Sequence, residues 1–136
     1  MSTYSLSYRP DLHIICLRWL APDTLPEAQA SYEAALALAL AHGCGNWLLD
    51  SRHSGPIDLT QTAWLTHTFL PAAVLQLNPR SLRLAVCSSL LRWEQMRTDA
   101  AVAPVVQAAI AATQPYEAAI FLTDADAEAW LQAPAG

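Results

Sequence analysis

The densest run of reactive side chains is Asp50-Ser51-Arg52-His53-Ser54, which sets a carboxylate, two hydroxyls, a guanidinium and an imidazole side by side. A second run, Ser88-Ser89 followed by Arg92 and Trp93, adds two hydroxyls and another guanidinium. Arginine forks and helix amino-terminal amides both favour phosphate or carboxylate. If the two runs lie side by side, Asp50, Ser51, Arg52, His53, Ser54, Ser88, Ser89 and Arg92 form a candidate site for a small anion. The competing reading is structural: Asp50 paired to an arginine, the serines capping helices, His53 exposed in a loop. Ser51 or Ser54 beside His53 supplies a nucleophile and a base in name. The chain nevertheless has no G-x-S-x-G elbow, so no catalytic set is assigned.

Other chemistries are excluded by what the chain lacks. Its seven basic residues are all arginine, so neither a lysine Schiff base nor a Walker-type phosphate loop can form. His13, His42, His53 and His67 never stand four apart with a carboxylate partner, and Cys16, Cys44 and Cys87 form no C-x-x-C pair. Neither a metal nor a cofactor is therefore expected. A net charge of -5 and a pI near 5.1 argue against nucleic acid as partner. The longest nearly uncharged stretch, Ala100 to Tyr116, is shorter than a membrane span and is interrupted by Pro104 and Pro115. The start Met1-Ser-Thr-Tyr4 lacks the basic, then apolar, run of a secretory signal, so cytoplasmic residence is the expectation. Hydrophobic residues make up 54% of the chain and charged ones only 14%. A chain of this size leaves about a third of its unfolded surface exposed, so the apolar excess points to a homo-oligomer, a dimer in the simplest case. The alternative is an alanine-rich composition with no further meaning.

The elements that must position these residues follow from periodicity. Tyr4, Leu6 and Tyr8 alternate with Thr3, Ser5, Ser7 and Arg9, the pattern of a half-solvated strand. A turn at Pro10-Asp11 leads into His13 to Leu20, apolar on both faces except at Arg18, which reads as the inner strand of a hairpin. Thr24 and Glu27 form a capping box for a helix with a stripe of Leu25, Ala28, Tyr32, Leu36 and Leu40, ended by Gly43. Asn46 to Ser51 is a short buried strand. Asp58 to Gln61 is a second box-like cap, opening a helix with Trp64, Leu65, Thr68 and Phe69 on one face and a kink or restart at Pro71. Leu82 to Cys87 is a strand, Leu90 to Arg97 and Val102 to Thr113 are helices, and Ala118 to Leu122 is the last strand. Thr123 and Asp126 cap a final helix that ends at Trp130-Leu131. Strands separated by helices demand crossovers and a mostly parallel sheet. The expected architecture is a single α/β domain spanning residues 1–136, with a mixed β-sheet of about five strands in the order β-β-α-β-α-β-α-β-α.

The opening hairpin, the strand end Leu48-Leu49-Asp50, the helix start at Asp58 and the closing Phe121 to Leu131 together give the chain its resemblance to the STAS-like domains, named for sulfate transporters and anti-sigma-factor antagonists. The resemblance is to the uncharacterised bacterial branch, and it implies a non-enzymatic regulatory or protein-interaction module. In the phosphorylatable antagonists the second helix begins with an Asp-Ser-Ser-Gly-Leu type segment whose first serine accepts phosphate. The matching stretch here is Asp58-Leu59-Thr60-Gln61-Thr62, where Leu59 stands in the acceptor position without a hydroxyl. Asp58 and Thr60 therefore remain candidate regulatory residues, against the plainer reading of Asp58 as a helix cap. The alternative function is a small-anion or lipid-type ligand-binding protein that uses the loop after the third strand. Trp64 with Phe69 would line the apolar pocket such a protein needs, or would simply pack.

Overall fold

The computed structural model describes residues 3–134. Strand β1 (Tyr4–Arg9) pairs antiparallel with β2 (Ile14–Trp19), and β3 (Asn46–Asp50), β4 (Arg83–Cys87) and β5 (Glu117–Phe121) add in parallel, giving one five-stranded mixed sheet in the order β1-β2-β3-β4-β5. Between them lie α1 (Leu25–His42), α2 (Leu59–Trp64), a π-helical turn (Leu65–Phe69), α3 (Leu70–Leu77), α4 (Leu90–Thr98) and α5 (Val102–Ala109), and α6 (Asp124–Gln132) closes the chain.

Each crossover advances one strand in the same direction, so right-handed connections lay α1 to α5 on one face. The burial pattern agrees. Leu17, Trp47, Leu49 and Leu84 share one core with Ala35, Phe69 and Leu70, whereas Cys16, Leu48, Ala85 and Cys87 meet Ala127 and Leu131 of α6 on the opposite face. Neighbours in sequence thus serve different cores, and β2 and β3 are apolar on both sides, as strands covered twice must be.

The capping signals act as read. Thr24 and Glu27 make a full capping box, Gly43 ends α1 in the left-handed region at φ 59°, and Thr123 Oγ1 accepts from the Asp126 amide at 3.2 Å. At Asp58 the box is only half formed: its Oδ1 accepts from the Gln61 amide at 3.0 Å, but the Gln61 side chain donates instead to Asp23. The stripe of α1 is also rotated from expectation. Ala28, Ser31, Ala35, Leu36 and Ala39 are buried while Leu40 is 43% exposed, because small residues let the helix settle close to the sheet. Ser31 belongs there because Trp19 Nε1 donates to its hydroxyl at 3.0 Å. In the second helix the π turn inserts an extra residue before Pro71 restarts the helix, turning Thr66 inward and leaving Thr68 exposed. Helix α5 stops at Ala109, short of the expected Thr113, and the Tyr116 hydroxyl donates to the Ala109 carbonyl. His13, expected in a strand, sits instead in the β1–β2 turn at φ 54° with its Nδ1 2.7 Å from Tyr8 Oη.

Helix α6 is fastened at both ends by arginine. Arg83 donates to the carbonyls of Trp130, Leu131 and Ala133 and lies 4.3 Å from the Trp130 ring centroid. At the other end Asp124 receives Arg18 and Arg52.

Candidate functional site

β3 and β4 are neighbours, with Asp50 opposite Cys87, so the two polar runs do emerge side by side. The Ser51 amide and hydroxyl both donate to the Cys87 carbonyl, at 2.9 and 3.0 Å. The alternation of side chains along a strand then separates them. Asp50 points to the α6 face, where its oxygens accept from Arg52 Nε and Nη2 and from Arg18 Nη1, each at 2.9 Å, and from the Arg52 amide at 3.1 Å. Asp124 binds the same two guanidinium groups from the start of α6. Burial opposes the charge on Asp50, but the hydrogen bonds from Arg52 and Arg18 outweigh it and hold its pKa at about 2. The same network raises the pKa of Arg52, chiefly through Asp50, and beside it burial and the nearby Asp124 carboxylate push the Cys87 thiol up to about 12.

Arg92 goes the other way. It lines the space beneath α2 and α5, and its Nε donates to the Gly55 carbonyl at 2.8 Å. Arg52 and Arg92 therefore lie on opposite faces of the sheet, and the structure does not gather them into one crevice. The pleat and the pull of Asp124 on Arg52 are the reasons. Of the other candidates, His53 is exposed, Ser54 closes a turn by donating its amide to the Ser51 carbonyl, Ser88 Oγ donates to the Ser89 carbonyl, and Ser89 caps α4. Asp58 caps α2, and Thr60 is exposed one step inside it.

What the Arg92 side of the sheet does contain is a cavity of about 150 Å³. It exists because α5 packs chiefly against α2 and α4, so its end of the molecule stands off from β4 and β5 like a roof. Val86, Ala118 and Ile120 line it from the sheet and are only half-buried. Trp64, Met96 and Val106 complete much of the apolar wall. Trp64 thus lines the pocket as one reading of the sequence had it, while Phe69 is buried behind it, 5.3 Å away between ring centroids.

Polar groups interrupt this wall: Ser51, the phenol of Tyr32 and the guanidinium of Arg92, with Asp58, Gln61, Thr62 and Thr66 along the α2 side. Among the described residues Arg92 has no carboxylate within ion-pair distance, and its one side-chain bond is that to Gly55. Burial lowers its pKa, against the opposing pull of Tyr32 and Asp23. Burial likewise raises the pKa of Tyr32, so its hydroxyl keeps its proton and can donate. Thr66, also in the wall, has a buried hydroxyl with no partner. Tyr32 and Met96 escape sequence reading because each carries only a helical packing signal until the tertiary fold opens a space beside it.

Among the described residues no group of histidine, cysteine or acidic side chains is placed to hold a metal ion, and no helix is long and apolar enough to cross a membrane. Comparison with family models, with curated proteins and with solved structures finds no match to this chain.

Proposed function

We propose that this protein is a non-enzymatic binding module that holds a small, largely apolar ligand in the cavity between β4–β5 and the roof of α2, α4 and α5. The observation that carries the reading is that apolar residues on the helix-covered side of the sheet, Val86, Ala118 and Ile120, remain half-buried around an unfilled space of about 150 Å³. Protein interiors otherwise pack to crystal-like density, and an apolar void of this size accepts a ligand such as a single aromatic ring. The order of elements, with a capped helix start at Asp58, supports STAS-like membership as part of the same proposal.

The test uses Trp64 as reporter. Titrating benzene, toluene and indole should quench or shift tryptophan emission with saturation and raise the melting temperature, and Ala118→Leu, which fills the space, should abolish both effects while remaining folded. Absence of a saturable response in the wild-type protein overturns the reading.

A second reading, self-association, is favoured by Leu90, Leu91 and Leu122, which follow the ends of adjacent strands and are 69%, 57% and 40% exposed. Light scattering at micromolar concentration tests it, and a 14.8 kDa particle removes it.

A further inference from the structure

From the way charge is distributed around the cavity, we infer that its ligand is an amphipathic monocarboxylate, with its apolar body against Val86, Ala118 and Ile120 and its carboxylate on the guanidinium of Arg92 and the hydroxyl of Tyr32. This deepens the binding reading above and rests on it.

Arginine is the most expensive residue to place in an apolar wall, and the usual compensation is a carboxylate from the same chain. The arginines of the strands and of the loop after β3 follow that rule: Arg9, Arg18 and Arg52 each have two acidic partners, and Arg83 has Glu117 at 3.6 Å besides three helix carbonyls. Arg92 departs from it. It lines the cavity with only Nε engaged, leaving both terminal nitrogens without a protein acceptor among the described residues. Two parallel donors in a fixed plane match the two oxygens of a carboxylate. The Tyr32 phenol lines the same space, likewise without a hydrogen-bond partner among the described residues, and as a neutral hydroxyl it adds a third donor. Ser51 does not compete for the anion, because its hydroxyl already donates to the Cys87 carbonyl.

The rest of the lining fixes the other end of the ligand. Apart from Asp58, Gln61, Thr62 and Thr66 of the α2 segment it is mainly apolar, with no second cation among the lining residues, so a dicarboxylate or a polyphosphate would strand charge against hydrocarbon or meet the Asp58 carboxylate. The volume sets the size at roughly six to ten non-hydrogen atoms, the scale of a ring or a short chain carrying one carboxylate.

The experiment compares benzoate with benzamide, its neutral counterpart of nearly the same shape, by calorimetric titration of the full chain, with acetate as the headgroup alone. Charge-assisted bonds of this kind are worth a factor of roughly 10 to 100 in affinity. Benzoate should therefore bind roughly 10- to 100-fold more tightly than benzamide, acetate should not bind measurably, and Arg92→Gln should bring benzoate down to the benzamide level. Should that variant fail to fold, Tyr32→Phe, which keeps the ring and removes the donor, should still weaken benzoate severalfold and leave benzamide unchanged. Equal binding of benzoate and benzamide, unaltered by either substitution, overturns the carboxylate assignment while leaving the cavity as a binding site. If neither molecule binds, the binding reading itself has failed.

Discussion

Asp50 offers a quantitative check on how the sheet holds its last helix. Its carboxylate is 5% exposed and receives four hydrogen bonds from two arginines, and Asp124 joins the same guanidinium groups to the first turn of α6. Replacing it as Asp50→Asn keeps the shape, removes the charge and leaves Arg18 and Arg52 with Asp124 alone. Breaking a buried pair costs 3–5 kcal/mol, and because both arginines are about 30% exposed the loss here should be smaller, about 2 to 3 kcal/mol at pH 6. The pH dependence carries a definite sign. The folded-state pKa of Asp50, about 2, lies below the ordinary 3.8, so its contribution is fully present above pH 4 and is lost as pH falls towards 2. That depression corresponds to about 2 kcal/mol. Urea denaturation of both proteins at pH 6, 4 and 2.5 measures the difference between them, which should be largest at pH 6 and shrink by most of its value at pH 2.5. Subtracting the variant cancels the acid response of the other carboxylates. A difference below 0.5 kcal/mol at pH 6, or one that stays constant down to pH 2.5, would refute the argument.

Two further substitutions probe the backbone and the cavity wall. A Cβ on Gly45 would sit 1.9 Å from the Ser81 carbonyl oxygen, where the entries of β3 and β4 are joined by the Arg83 amide donating to the Gly45 carbonyl at 2.7 Å. Gly45→Ala should cost more than ~3 kcal/mol or prevent folding, and a melting temperature near that of the wild type would show that the two segments are not so close. Thr66→Val removes a buried hydroxyl that has no partner while conserving shape, so it should stabilise the ligand-free protein by about 1 kcal/mol and raise its melting temperature by roughly 3 °C. Differential scanning calorimetry reads the shift, and a loss of stability would mean that the hydroxyl is bonded.

The sequence carries the elements more clearly than the site, for reasons that individual residues make plain. Thr24, Gly43, Ser89 and Thr123 act through bonds within three or four residues, so their local pattern suffices to place helix ends. The hairpin is equally local, and Tyr4, Leu6 and Tyr8 reach the core with their polar neighbours on the other side as alternation requires. Gln61 shows where such reasoning stops: the capping box predicted its return to Asp58, but Asp23, distant in sequence, takes its side chain. Arg52 and Arg92 show the same limit at the site. Placing both at adjacent strand ends was within reach of pattern, but the face each would choose depended on Asp124, 72 residues beyond Arg52, and on an opening beneath α5. The shift of α1 from Leu40 towards Ala35 and Ala39 belongs with these, since Ser31 is buried only because Trp19 needs an acceptor for its indole amide.

The winding of the chain explains why a cavity lies on the crowded face rather than the sparse one. Three crossovers in one direction deliver five helices to one side of a sheet five strands wide, and α1 and α3 take the seats over β1 to β3. The α4–α5 pair must then bridge β4 to β5 with α4 and α5 of only nine and eight residues, broken at Asp99. Asp99 is the C-cap of α4, and its Oδ1 accepts from the Ala101 and Val102 amides at 2.8 and 3.2 Å, bracing the turn into α5. The pair therefore leans on α2 instead of settling on the strands. The opposite face has one helix and no such competition, and α6 seats Ala127 and Leu131 directly on Cys16, Leu48 and Ala85, with arginines at both ends. A closely packed face and a loosely roofed one suit the proposed binding role, because the packed side supplies the stability that an open space on the other side costs.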